Sequence, residues 1–247
     1  MHFSTTKLAS LFVAAAAVQA APIEGNNAIQ ARAVVAHDSI NPWPENVPGG
    51  AMGITLRKFE PFLLISHGCQ PYSAVDGNGN TSGGLQDTGN VSAGCRDMTK
   101  GQTYVRGGWH GNRYGIMYAW YFPKDQPAAG NVVGGHRHDW EHVVVWINNP
   151  TVANPVLFGA AASGHGSMKK NTNPPKSTQR VLVNYFASFP KNHELGWAST
   201  VGRDMPMMWY DFLPPVSKDA LRDTSFGSAV CPFIDKNFAP NLAKAAL

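Results

Sequence analysis

Two runs in this 247-residue chain are apolar on both of their faces, and they restrict the fold more than any other feature. In Gly115 to Phe122, the residues Ile116, Tyr118, Trp120 and Phe122 alternate with Met117, Ala119 and Tyr121; Val143-Val144-Val145-Trp146-Ile147 repeats the pattern. A strand that offers neither face to water belongs in the middle of a sheet covered on both sides. Further short β-rich runs, Phe62 to Ser66, His142 to Ile147, Val156 to Ala161 and Val181 to Phe186, stand between Gly, Pro and Asn clusters. That spacing predicts a mainly β, single-domain sandwich or barrel rather than a βαβ sheet. The proline-rich segment Pro42 to Pro48 is expected to lie extended across a surface. Helices are few: one capped by Ser217 and running through Leu221, and one closing the chain from Pro240 to Ala246.

The chain opens with a secretory address. Lys7 supplies a positive start, Leu8 to Val18 a short apolar stretch, and Val18-Gln19-Ala20 a small-residue cleavage site, so residues 1–20 read as a signal peptide. The apolar stretch is shorter than the ~20 residues that span a bilayer. Residues 21–36 are read as a disordered N-terminal extension. Lys and Arg number 20 against 16 Asp and Glu, yet no basic run exceeds a pair such as Lys169-Lys170. Nucleic-acid binders show a clustered basic stripe, so that partner class is excluded.

Secretion admits disulfides. Cys69 and Cys95 flank a loop rich in Gly, Asn, Ser and Asp from Asp76 to Gly94, and closing it would stabilise the fold by about 3 kcal/mol. They are the favoured pair. Cys231, among Val230, Pro232 and Phe233, is expected to be buried and free. The same loop carries two glycosylation sequons, Asn80-Thr81-Ser82 and Asn90-Val91-Ser92, which place it at the surface.

Ligand-type side chains concentrate in Gly134-Gly135-His136-Arg137-His138-Asp139-Trp140-Glu141-His142. If the strand that follows extends back to Asp139, then Asp139 and Glu141 project from one face, about 6.5 to 7 Å apart. Two carboxylates with waters suit a hard cation such as Mg²⁺ or Ca²⁺. Upstream, Asp125 ends the other apolar strand and adds a third carboxylate. By strict alternation His136, His138 and His142 share the opposite face, spread over about 20 Å, which argues against a zinc site. Trp140 reads as packing, and Arg137 as a neutraliser of a neighbouring carboxylate. The chain lacks a His-Glu-x-x-His set, a Gly-x-Ser-x-Gly elbow and a phosphate-binding Gly-x-x-x-x-Gly-Lys loop, which makes a metal-dependent hydrolase the lesser reading.

At this point the sequence resembles a known family. Gly135-His136-Arg137-His138-Asp139-Trp140-Glu141 matches the signature heptapeptide of the necrosis- and ethylene-inducing peptide 1-like proteins, and Gly115 to Asp125 matches their second hallmark segment. The likeness runs from His37-Asp38 to the C-terminus, making residues 37–247 a necrosis-inducing protein domain, and the Cys69/Cys95 pair is similar to the single-disulfide, type 1 branch. The resemblance implies two antiparallel sheets flanked by helices, akin to actinoporins and lectins. It also implies a secreted cytolysin, not an enzyme, that is monomeric in solution. Its target would be glycosyl inositol phosphoryl ceramide in the plant plasma membrane, with a plant pattern-recognition receptor as a second partner. By position, Asp125 and Asp139 would ligate a divalent cation directly, His136 and Glu141 would complete the site through waters, and His193 would stand near it. Phe189 occupies the place of a loop tryptophan in toxic relatives and is the membrane-contact candidate. The loop Gln126 to Gly135 is longer than the family pattern, which bears on where Asp125 falls. Some relatives are not toxic, so a non-cytotoxic lectin-like or immunogenic protein is the alternative.

Overall fold

The computed structural model describes residues 1–2, 32–130, 134–188 and 191–247, and residues 31–247 form one compact unit. Nearly all of the expected signal peptide, residues 21–31 and the membrane-contact candidate Phe189 lie outside the described residues.

The described chain opens with β1 (Val34–Val35), α1 (Gly50–Phe59), β2 (Phe62–Ile65) and β3 (Thr81–Ser82). Its centre is β4 (Thr103–His110), β5 (Arg113–Asp125), β6 (His136–Ile147), β7 (Leu157–Gly164) and β8 (Ser167–Asn171). It ends with β9 (Lys176–Ser177), β10 (Arg180–Ala187), β11 (His193–Trp197), β12 (Met207–Trp209), α2 (Pro215–Asp223) and α3 (Asp235–Ala245). One sheet has the order β12-β4-β5-β6-β7-β8, and a smaller one the order β11-β10-β2 with β9 beside β10. Pairing is mostly antiparallel; β12 with β4 and β10 with β2 are parallel.

The two-sided apolar runs became β5 and β6, at the centre of the larger sheet as their composition demands. On one face Phe122 stacks on Tyr185 of β10 at 3.8 Å between ring centroids, and the Tyr118 hydroxyl donates to the Leu56 carbonyl of α1. On the other face Trp146 Nε1 donates to the Ala245 carbonyl of α3, and Tyr121 and Trp140 pack against Phe226. Trp120, Trp146, Tyr118 and Tyr121 are fully buried. A large aromatic removes roughly 150–250 Å² from water, so this layer dominates the driving force for folding.

Several local expectations shift. Val34 and Val35 pair with Thr81 and Ser82, so the stretch from Arg32 to Ala36, read as extension, is built into the unit. Ser217 does not cap α2: Pro214 precedes the helix, and the Ser217 hydroxyl donates to the Asp76 carbonyl. α3 begins at Asp235, five residues before the expected Pro240. Proline does cost a helical hydrogen bond, but Phe238, Leu242 and Ala245 form a buried stripe that holds the helix through it. α1 was not expected at all. Cys69 and Cys95 are bonded and Cys231 is buried and free.

Gly202 shows how tightly the smaller sheet is edged. Arg203 and Leu63 exchange backbone hydrogen bonds, so a Cβ on Gly202 would overlap the backbone of Leu63 and Leu64. Backbone cannot rotate away as a side chain can. We expect Gly202→Ala to lose about 1–3 kcal/mol, read by urea unfolding; a change below about 0.5 kcal/mol would show that this edge is pliable.

Candidate metal centre and its carboxylates

The ends of β5 and β6 lie opposite one another, with Asp125 in register with His136 and Phe122 with Asp139. The long loop between them therefore does not displace Asp125. Its carboxylate is completely buried, where it accepts the His193 backbone N–H at 3.0 Å and contacts His193 Nδ1 at 2.5 Å. His136 Nε2 is 3.6 Å away. β11 makes this meeting possible, because its pairing with β10 starts at His193.

Asp139 and Glu141 share one face of β6, as alternation predicts, and point toward the smaller sheet. Asp139 accepts the Tyr185 hydroxyl at 2.9 Å, while Glu141 accepts the Ser163 hydroxyl. Both carboxyls are driven well above the usual carboxylate range. For Asp139 the causes are burial and then the charge of Asp125; for Glu141 they are burial and then the charge of Asp139. Among the described residues no Lys or Arg forms an ion pair with Asp125, Asp139 or Glu141; only His136 and His193 do, and only with Asp125. The donors are hard oxygens gathered without a fixed counter-charge, a set that fits Mg²⁺ or Ca²⁺. Among the described residues no three His, Cys, Asp or Glu side chains are arranged as a ready metal cage, so an ion here would complete its shell with water.

Asp139 and Glu141, with His136 and His193, line a cleft of about 420 Å³ that also reaches Asn192, His165 and Lys244. His138 explains how His136 comes to be there. Its φ of 63° is left-handed, which a residue with a Cβ adopts only at a cost of about 1–2 kcal/mol. The conformer is held by the Tyr121 hydroxyl at 2.6 Å from His138 Nδ1, and by Gly84, where a Cβ would lie 2.7 Å from the ring. This residue breaks the alternation, so His136 turns toward the carboxylates while His138 packs against Phe226 on the other face. The three histidines read as one row are divided.

Two other assignments change. Among the described residues Arg137 neutralises no carboxylate: its guanidinium donates to the Gly83 carbonyl at 2.7 Å. His142 is buried on the face away from Asp139, and burial together with the charge of Lys244 pulls its pKa down to about 4, so it is neutral at pH 7. Trp140 packs as expected, and Gly135 directly precedes β6. No motif or periodicity points to Tyr185, Ser163 or His67, whose Nδ1 lies 2.8 Å from His193 Nε2. Tyr185 also stacks on His193 at 4.5 Å, bracing both carboxylate partners at once.

Comparison with known proteins places the chain in a family. The necrosis inducing protein (NPP1) family profile matches residues 55–245. NLP effector protein 10 of Phytophthora capsici is 40% identical over 218 residues, covering 86% of this chain and 92% of its own. The structure of NLPPya in complex with glucosamine superposes with a TM-score of 0.80 at 40% identity, over 87% of this chain and 100% of its own. The non-toxic HaNLP3 protein gives a TM-score of 0.80 at 39% identity, over 85% and 98%. A non-toxic protein thus shares this fold, and the chain belongs to the necrosis inducing protein (NPP1) family.

Proposed function

We propose that this chain is a secreted cytolysin that docks on glycosyl inositol phosphoryl ceramide in the plant plasma membrane through a divalent cation, then permeabilises the bilayer. The observation that carries this reading is the trio of buried carboxylates, Asp125, Asp139 and Glu141, left without a Lys or Arg partner among the described residues beside an open cleft. A neighbour of the same fold in complex with glucosamine supports a sugar-bearing ligand. A bound Mg²⁺ or Ca²⁺ would supply open coordination positions for the phosphate or sugar oxygens of an anionic headgroup.

The protein's own part is positioning. Asp125, fixed by the backbone and ring of His193, and Asp139, oriented by Tyr185, are the direct ligands in this reading. His136 and Glu141 act through water. Phe189 would then settle at the bilayer interface, and plant receptors would perceive the same protein as a danger signal. No covalent step is invoked.

The test is dye release from vesicles with and without plant glycosyl inositol phosphoryl ceramide, in Mg²⁺ or Ca²⁺ and then in chelator. Release should need both the lipid and the ion, with recovery when the ion is returned. Cation and headgroup binding without release would favour the non-cytotoxic, lectin-like reading; release that survives chelation would remove the metal from the mechanism. Turnover of a headgroup that chelator abolishes would instead point to a hydrolase.

A further inference from the structure

We propose that Asn90 carries an N-linked glycan and that Asn80, in the neighbouring sequon, does not. Both acceptor sequences lie in the loop closed by Cys69 and Cys95, yet the fold treats them in opposite ways. Asn80 is half-buried and fully engaged: Nδ2 donates to Asp76 Oδ2 at 2.8 Å, and Oδ1 accepts the Ala33 backbone N–H at 3.1 Å. Its sequon hydroxyl, on Ser82, is buried in β3, where it accepts the Tyr121 hydroxyl at 3.1 Å. A sugar on Asn80 Nδ2 would crowd Asp76 and the start of β1.

Asn90 is exposed. Its Oδ1 accepts the Ser92 backbone N–H at 3.2 Å, the Ser92 hydroxyl at 3.3 Å and Arg96 Nη2 at 3.3 Å. Those bonds hold the amide outward, and among the described residues Nδ2 donates to none. The Asn90 carbonyl accepts Lys124 Nζ at 2.8 Å, and Gln126 Nε2 donates to Gly89 at 2.7 Å. Lys124 and Gln126 thus face this loop while Asp125, between them, faces the carboxylate cluster. The glycan stands on the far side of the β5 end from the cleft.

In the transfer, Asn90 Nδ2 forms a C–N bond to the anomeric carbon of a lipid-pyrophosphate-linked oligosaccharide. The C–O bond to pyrophosphate breaks, the lipid pyrophosphate departs, and one amide proton leaves to a base, with no change of oxidation state. The assignment rests on entry into the secretory pathway. The full chain is therefore expressed in a secreting yeast twice, with its own N-terminus and behind a host leader, which frees the test from the first twenty residues. Intact mass is measured before and after an endoglycosidase. We expect one glycan in the wild type and in Asn80→Gln, and none in Asn90→Gln or Ser92→Ala. A glycan that persists in Asn90→Gln, disappears in Asn80→Gln, or is absent from the host-leader wild type overturns the assignment.

Discussion

Replacing Asp139 by Asn is expected to cut cation-dependent vesicle leakage at least about 100-fold while making the chelated protein more stable. Loss of a group that merely supports a metal ligand costs about 10–100-fold in affinity, and removal of a direct ligand should reach or exceed the top of that range. Stability moves the other way because this carboxylate is buried beside Asp125. The folded state holds the Asp139 proton more tightly than the unfolded chain does, for which the ordinary value is 3.8. The associated stability is therefore complete below about pH 4 and is lost as pH rises, the slope following the excess of protons bound in the folded state. Asn nearly matches the shape and still accepts the Tyr185 hydroxyl, but it has no charge to bury. A gain of about 1 kcal/mol at pH 7 would appear as roughly 2–4 °C in a domain of this size, shrinking to nothing near pH 4. Melting curves in chelator across pH 4 to 8, beside leakage in Mg²⁺, read both effects. Unchanged leakage would eliminate Asp139 as a ligand; a variant less stable at pH 7 would show that its carboxylate is satisfied without an ion.

The sequence displayed the strands that bury both faces and hid what depends on a single backbone angle. Period-two alternation in β5 and β6 follows from sterics that every residue obeys, so Trp120, Tyr121, Val143 and Val144 fell where pattern placed them. His138 departs from that rule, and nothing in its neighbours declares a positive φ; alternation alone therefore puts His136 on the wrong side, and only the resemblance brings it to the site. Asp125, Asp139 and Glu141 were legible because three acidic residues stood at the ends of two strands that had to be neighbours. Tyr185, Ser163 and His67 are not, because each arrives from a segment outside the two central strands, and a hydroxyl or imidazole leaves no periodic trace. The edges follow the same logic. α1 and the early start of α3 were missed because Gly49-Gly50 and Pro240 argue locally against helix, while buried Leu56, Phe59, Phe238 and Leu242 decide for it.

Removing the disulfide should have the largest effect on stability. The 26-residue separation of Cys69 and Cys95 corresponds to about 3.5 kcal/mol of lost loop-closure entropy in the unfolded chain. A Cys69→Ala/Cys95→Ala double variant is therefore expected to melt about 7–14 °C lower, at roughly 2–4 °C per kcal/mol. Alanine avoids stranding two hydroxyls where both sulfurs are wholly buried, and for the same reason added reductant is a poorer probe than substitution. The consequence reaches the carboxylates. The loop is tied to the end of β5 by Lys124 Nζ on the Thr88 and Asn90 carbonyls and by Gln126 on Gly89, and to β6 by Arg137 on Gly83. Asp125 lies between two of those anchors but has its own hold on His193. Cation-dependent leakage in the double variant should therefore persist well below its melting point and fail together with the fold, rather than at a lower temperature. Leakage lost while the protein remains folded would mean that the loop, more than His193, sets the position of Asp125. A fall in melting temperature of less than about 3 °C would mean that those anchoring hydrogen bonds already order the loop without its covalent closure.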